Sequence, residues 1–444
     1  MVAPEPTAEM LQPFDNPLPG LEAVQFGHFS DTNNSPAHTE KRTTAIELFR
    51  AKKYRESLQS LLDWIHSERG GNAVEWTETG TDTFDFVLHQ STRLIKGNFD
   101  GKFLHACVPL AKSDAPGTAV MHRMLELNND LQYTSAGLDE EGTFYLVFDT
   151  DADTASPQKV FNGLRELALV ADRQDDDLRA AFPDLLPAPS APVTPLPANE
   201  LEVKGTYFHK WIGDTLAEAE NLDMDAYAGA IAHLLLTLVY RLDLLLSPDG
   251  RLMLELEQIS NLYWADKDEK TLVSRNAAML KAVRKLQSWT LTDLASSLHL
   301  TADTFAGHPP PSLTKMRDNV AVALRDAAVY AGRSQPFLEL TLLEYGPLAN
   351  QYLYAMPDLV RDLTLIQQAV LHPHFFADLG LGVTFYEEKH DKVNAEAVAR
   401  SVGAALQEWK AVFPHADIDF SKIAFTSRAE FAGTFAAQLS IIQL

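Results

Sequence analysis

Pro183-Asp184-Leu185-Leu186-Pro187-Ala188-Pro189-Ser190-Ala191-Pro192-Val193-Thr194-Pro195-Leu196-Pro197 divides this 444-residue chain into two parts of different pattern. Six prolines in fifteen residues remove backbone donors and fix φ, so the stretch predicts a semi-rigid extended spacer rather than helix or sheet. The boundary gives an irregular tail over 1–40, a first domain over 41–182, a linker over 183–202 and a second domain over 203–444.

Upstream of the spacer, two periods alternate. Ile46, Leu48, Phe49, Leu58, Leu61, Leu62 and Ile65 recur at helical spacing, predicting one helix over 43–68 that Gly70-Gly71 ends. Strands are expected over 73–77, over 83–94 with Phe84, Phe86 and Leu88 on one face, and over 99–110 after a turn at Gly97-Asn98. Pro116-Gly117 opens a second helix with Val120, Met121, Met124, Leu125 and Leu127 as its apolar stripe. Segments 132–138 and 142–149 read as a hairpin, and a third helix spans 157–181. The fold class is α+β: a five-stranded antiparallel sheet with helices against it.

Downstream, the pattern is mainly helical. Residues 225–246 are apolar round most of the helix, as in a buried bundle member. Further helices are expected near 251–263, 271–287, 313–332, 358–371 and 395–413, with a break at His308-Pro309-Pro310-Pro311. Residues 338–354 fit helix or hairpin, 382–387 a strand, and 432–444 stays open.

A net charge of -24 argues against nucleic-acid and anionic-membrane partners, because both present negative charge. Cys107 is the only cysteine, which excludes an intramolecular disulfide and fits a reducing compartment. The first residues show neither a basic nor an apolar leader region, and the most apolar run, 231–246, contains His233, Arg241 and Asp243. A cytoplasmic protein is the expectation. Phosphate loops, nucleophile elbows and zincin helices are missing from the sequence, so no cofactor is expected.

Leu125-Glu126-Leu127-Asn128-Asn129, followed by Ser135-Ala136-Gly137-Leu138-Asp139 and alternation to Leu146, together with the element order, resembles the type III secretion chaperone family and the related YbjN-type domains. The chain departs from that family at Asp149-Thr150-Asp151-Ala152-Asp153, where a Leu-Pro-Leu-like segment is common. The resemblance covers 43–182 and implies non-enzymatic binding of partner polypeptide segments, often by a homodimer.

Several strands are apolar on both sides. Phe103, Cys107, Tyr145 and Val147 point away from the face that the neighbouring helices cover, which marks them as candidate partner-binding residues. Their cover is a second subunit, a client segment or the helical domain of the same chain, and pairing of an extended partner with a sheet edge is a further mode. The alternative to a binding or scaffold protein is a metal-binding protein or enzyme centred on His372 and His374, with Asp378, Glu387, Glu388, His390 and Asp391 as further donors. Arg241 and Asp243 within the apolar helix predict a structural ion pair.

Overall fold

The alternation at Phe84, Phe86 and Leu88 decides the first unit. In the computed structural model, which describes residues 12–31, 35–66, 74–189, 193–352 and 356–444, those three side chains are buried, while Asp85, Val87 and His89 face the other way. The chain forms two units: Asn34–Thr194 with Leu300–Gly307, and the described part of Met1–Asn33 with Pro195–His299 and His308–Leu444.

The first unit is α+β. Its elements are α1 (Pro36–Arg50), α2 (Tyr54–Ile65), β1 (Val74–Glu78), β2 (Phe84–Ser91), β3 (Arg93–Phe99), β4 (Phe103–Lys112), α3 (Thr118–Asp130), β5 (Ser135–Leu138), β6 (Thr143–Asp151), α4 (Pro157–Ala181) and β7 (Leu186–Pro187). The antiparallel sheet runs β1-β2-β3-β4-β6-β5, with β7 beside β4 and the two-residue strand Ala302–Asp303 beside β2. Among the described residues it thus has eight strands rather than the five expected.

Three additions make up the difference: the division of the expected strand over 83–94, Leu186–Pro187, and the remote segment Ala302–Asp303. The expected strand over 83–94 is a hairpin: Gln90 pairs with Arg93 around a two-residue turn, and Ser91 takes φ 50°. A left-handed residue is what a two-residue hairpin requires, but here it is serine, so the sequence carries no Asn-Gly or Gly signal. Gly97-Asn98, expected as a turn, lies inside β3. And Leu186–Pro187, expected as free spacer, pairs with Lys112 and Ala111 at the end of β4, a marginal strand position of the kind proline tolerates.

The single helix expected over 43–68 is also divided. Lys52 adopts φ 60° and ends α1, and α2 folds back on it. The two pack closely at small residues: the Ser57 hydroxyl donates to the Ala45 carbonyl (2.7 Å) and the Ser60 hydroxyl to the Lys41 carbonyl (2.8 Å). Ser35 and Ser156 cap α1 and α4 ahead of Pro36 and Pro157 at the first helical position. The helices pack on one face of the sheet, over Phe84, Phe86, Phe99, Leu104, Val108, Phe144, Leu146 and Phe148.

Gly97 sits opposite Phe86, and a Cβ built on it would lie 2.1 Å from Phe86 Cζ. The ring occupies the space a side chain would take. Gly97→Ala is therefore expected to destabilise the protein by about 2 kcal/mol through overpacking, read as a lower denaturation midpoint at unchanged m. Phe86→Leu in the same chain should recover part of the loss. An unchanged midpoint for Gly97→Ala would contradict the packing argument.

The second unit is helical: α5 (Ala198–Asn221), α6 (Ala228–Leu246), α7 (Gly250–Trp264), α8 (Leu272–Leu286), α9 (Leu291–Ala295), α10 (Leu313–Ala331), α11 (Pro336–Gln351), α12 (Asp358–Leu371), α13 (Pro373–Leu379), α14 (Ala395–Glu408) and α15 (Arg428–Ser440). Among the described residues α6 alone is long and apolar enough to cross a membrane, by length and composition, and 89% of it is buried in the fold. Residues 338–354, open between helix and hairpin, lie mostly in α11, which keeps its helix through Gly346-Pro347. The bare Gly346 backbone lets α10 approach at Val320 and Ala323.

The segment 12–31 contains no helix or strand, yet it is held firmly on the helical unit. Leu18, Leu21 and Phe26 are buried. The Gly27 N–H donates to the Leu244 carbonyl (2.7 Å), and the Gly382 N–H donates to the Pro19 carbonyl (2.8 Å). Buried Lys204 bridges the Gln25 and Leu246 carbonyls at 3.3 and 3.2 Å. The described part of the expected tail over 1–40 is thus two things, a docked strap on the helical unit over 12–31 and, from Pro36, the first helix of the sheet unit.

Candidate polypeptide-binding site

At the closed end of the β2–β3 hairpin, the sheet unit holds a segment more than two hundred residues away in sequence. Ala302 and Asp303 pair antiparallel with Ser91 and Gln90. The Gln90 side chain then acts as a short strand of its own. Its amide donates to the Phe305 carbonyl (3.1 Å) and accepts from the Phe305 N–H (3.0 Å). The same amide donates to Asp303 Oδ1 (3.0 Å), which also accepts from the Ser91 N–H (3.0 Å).

The Thr304 hydroxyl donates to the His89 carbonyl (2.7 Å), and Arg165 of α4 donates to the Ala306 carbonyl (3.0 Å). Phe305 is 2% exposed, edge-on to Phe161 at 5.6 Å, and belongs to the core of the sheet unit. The segment is thus held by backbone pairing, one carboxylate clamp and one buried aromatic anchor.

The candidate residues Phe103, Cys107, Tyr145 and Val147 share the face of the sheet opposite the helices. Cys107 is paired with Val147 and with Lys96, while Tyr145 pairs with Pro109 two residues along. Phe103, at the far end of β4, is 37% exposed. Val87 and Leu94 are half-buried on this face, and Glu75, Asp85, Asp149 and Asp151 are exposed around it. His105 Nδ1 lies 2.6 Å from Asp149 Oδ1. Burial and the nearby Asp149 carboxylate both push the Cys107 thiol above its ordinary pKa, so it stays protonated at neutral pH and is a poor nucleophile.

The edge at β5 is occupied at Ala136 and just ahead of the strand. Asn128 Oδ1 accepts from the Ala136 N–H (2.6 Å) and its amide donates to the Ala136 carbonyl (3.0 Å). One step back, the Glu166 carboxylate accepts from the N–H groups of Gln132, Tyr133 and Thr134 at 2.7–2.9 Å and from the Thr134 hydroxyl. These bonds outweigh the cost of its partial burial and hold Glu166 below the ordinary carboxylate range. Side chains therefore occupy donors and acceptors at Ala136 and over Gln132–Thr134 that a strand partner would otherwise use. Asn128 is part of the Leu125–Asn129 signature, and bracing β5 is its role here.

His372 and His374 go separate ways. His372 Nε2 lies 2.8 Å from Glu344 Oε1, with its ring in an edge contact with Trp211 at 5.4 Å, whereas His374 is exposed with Nε2 3.0 Å from Glu388. Asp378 accepts from Tyr207, and Asp391 from Tyr386. Among the described residues no three His, Cys, Asp or Glu side chains are gathered to hold a metal ion.

Arg241 and Asp243 also separate. Arg241 grips Glu344 with two bonds (2.8 and 2.5 Å), and Asp243 lies 2.7 Å from His28 of the strap. The proximity of Arg241 outweighs burial and holds the Glu344 carboxyl down at about 2. Burial keeps His372 below its usual range.

No family model, curated protein or solved structure matches the chain. Gln90, Ser91, Asp303 and Phe305 are the residues that sequence patterning passes over. Their one trace is a lone aromatic residue, Phe305, in a polar stretch just ahead of the 308–311 proline run.

Proposed function

We propose that this protein is a non-enzymatic polypeptide-binding or scaffold protein whose sheet unit is the binding module. The observation that carries this reading is the capture of Leu300–Gly307 by β2 and α4: the unit holds an extended segment remote in sequence by backbone pairing and a buried side-chain anchor. The open face around Cys107, Val147, Tyr145 and Phe103 is the surface for a partner. Its occupant is an amphipathic segment with an apolar stripe and basic flanks. The half-buried centre calls for apolar contact, and the exposed Glu75, Asp85, Asp149 and Asp151, which outnumber the exposed Lys96 beside Cys107, call for net positive charge. Occupation of the β5 edge by Asn128 and Glu166 favours this face over strand addition at that edge.

The lone cysteine supplies the test. A photoactivatable cross-linker on Cys107, attached above pH 8 because the thiol is held protonated, reports directly on what lies over the face. With a panel of peptides matched in apolar content, cross-linking is expected for basic amphipathic sequences and should fall at least fivefold for acidic ones and at 0.5 M salt. Equal labelling of both classes removes the charge argument. A cross-linked dimer of the chain itself, with no peptide product, replaces the client with a second copy.

A further inference from the structure

We infer that the Gln90–Ser91 end of the sheet unit is a sequence-selective peptide site for an extended segment reading Asp-x-Phe, and that Leu300–Gly307 is its internal, displaceable ligand. This rests on the reading of the sheet unit as a polypeptide-binding module and narrows the class of polypeptide. It concerns a different surface from the one around Cys107.

Each part of the motif has its own recognition element. The carboxylate at 303 is read by two donors, the Gln90 amide and the Ser91 N–H, both at 3.0 Å. An asparagine or serine there loses charge-assisted bonds, the strong kind. Arg93, the partner of Gln90 across the hairpin, is 2% exposed, which adds a cation at this end of the sheet unit. The aromatic ring at 305 is fully enclosed beside Phe161, so a smaller side chain leaves a void. Between them, Thr304 is 2% exposed and its hydroxyl donates to the His89 carbonyl, so the middle position x is restricted to a small hydroxyl side chain.

The backbone is read independently of sequence, by Gln90 at residue 305 and Arg165 at residue 306. A strand that were merely part of the sheet would need only ladder bonds. Here the ladder covers two residues, and the side chains of Gln90, Asp303, Thr304 and Arg165 add contacts beyond it.

The segment is joined to His299 and His308, which belong to the helical unit, so it meets the site at the millimolar effective concentration typical of short tethers. An external Asp-x-Phe segment must compete against that concentration. The site is thus closed to weak ligands and open to tight or multivalent ones.

The test uses the full chain and a fluorescein-labelled synthetic octapeptide with the sequence of residues 300–307. Asp303→Ala with Phe305→Ala vacates the site. This variant is expected to bind the peptide with micromolar Kd by anisotropy, and the wild-type chain at least tenfold more weakly. Alanine at both motif positions of the peptide, or Gln90→Ala added to the variant, should each weaken binding tenfold or more. In the wild-type chain, where the fold is intact by definition, millimolar unlabelled peptide should speed hydrogen exchange of the Phe305 amide while leaving β4 and β6 protected.

Equal binding to both chains, binding indifferent to the Asp and Phe, or wild-type exchange unmoved by peptide would each overturn the inference, the last even if the vacated variant does not fold. Cross-linking at Cys107 reports on the other face, so failure here leaves that result standing, and failure there leaves this one.

Discussion

Arg241→Met is expected to cost 3–5 kcal/mol of stability, the range for breaking a buried ion pair from one side. Glu344 is buried in α11 with its two oxygens shared between Arg241 and His372. Without the guanidinium, the carboxylate must protonate or stay charged without a cation. Methionine preserves the packing beside Trp211, whose ring Arg241 covers at 5.6 Å, so the loss reports charge rather than volume.

Glu344→Leu added to Arg241→Met should recover most of the loss. About 1 kcal/mol should remain for the His372 N–H left without its acceptor. The pH dependence follows from the same geometry. The folded-state pKa of Glu344, about 2, lies below the unfolded value of roughly 4.3, so its contribution is complete above that value and is lost as pH falls toward 2. His372, also held low, adds a loss that begins as pH falls below roughly 6.5. Urea midpoints at pH 7 and pH 4 for the wild type, single and double variants decide it. A single variant within 1 kcal/mol of wild type at pH 7 would sink the argument.

The same residues show what the sequence reveals and what it hides. Arg241 and Asp243 stand out as charges in an apolar helix, which predicts that each is paired. Their partners, Glu344 and His28, are set by packing between elements about a hundred and more than two hundred residues away, and no local pattern encodes that. The α+β class is legible because Phe84, Phe86 and Leu88 alternate and Leu164, Leu167 and Ala171 do not. The strand count is not legible, because Ser91 takes a left-handed conformation without a glycine and Gly97 serves a neighbouring ring instead of a turn. His372-Pro373-His374 reads as a pair, but His372 closes α12 and the backbone turns into α13, which separates the two rings.

The open face and the hairpin-end site differ in how they were visible. Phe103, Cys107, Tyr145 and Val147 follow from period-two alternation, a property of single strands, so their shared face is predictable once β4 and β6 are recognised. The Gln90 site needs a segment from beyond α9 and has no such signature. A sheet unit that holds a distant part of its own chain looks, in sequence, like a finished domain followed by a loop.

Asp362→Asn is expected to stabilise the protein at pH 8, by up to about 3 kcal/mol, and to leave it nearly unchanged at pH 4. Burial pushes the Asp362 carboxyl up to about 6, and Asp358 and Glu408 push in the same direction. Arg361 opposes them, but its guanidinium is also engaged by Asp358 at 2.7 Å. A folded-state pKa raised above the unfolded value of roughly 3.9 means that the folded form holds its proton more tightly. The contribution is therefore complete below that unfolded value and is lost as pH rises through about 6. At pH 8 the fold carries a charge it solvates poorly.

Asparagine removes the charge and keeps the one bond the site makes well, because its carbonyl still accepts from the Trp409 indole N–H, now 2.8 Å from Asp362 Oδ2. The helices α12 and α14 should then hold together with less pH dependence. The measurement is the urea midpoint of both proteins from pH 4 to pH 8, where the two curves should diverge upward for the variant between pH 4 and 6. A variant less stable than wild type at pH 8 would mean that the negative charge on Asp362 holds Trp409 and Arg361 in place, and the burial argument would be wrong.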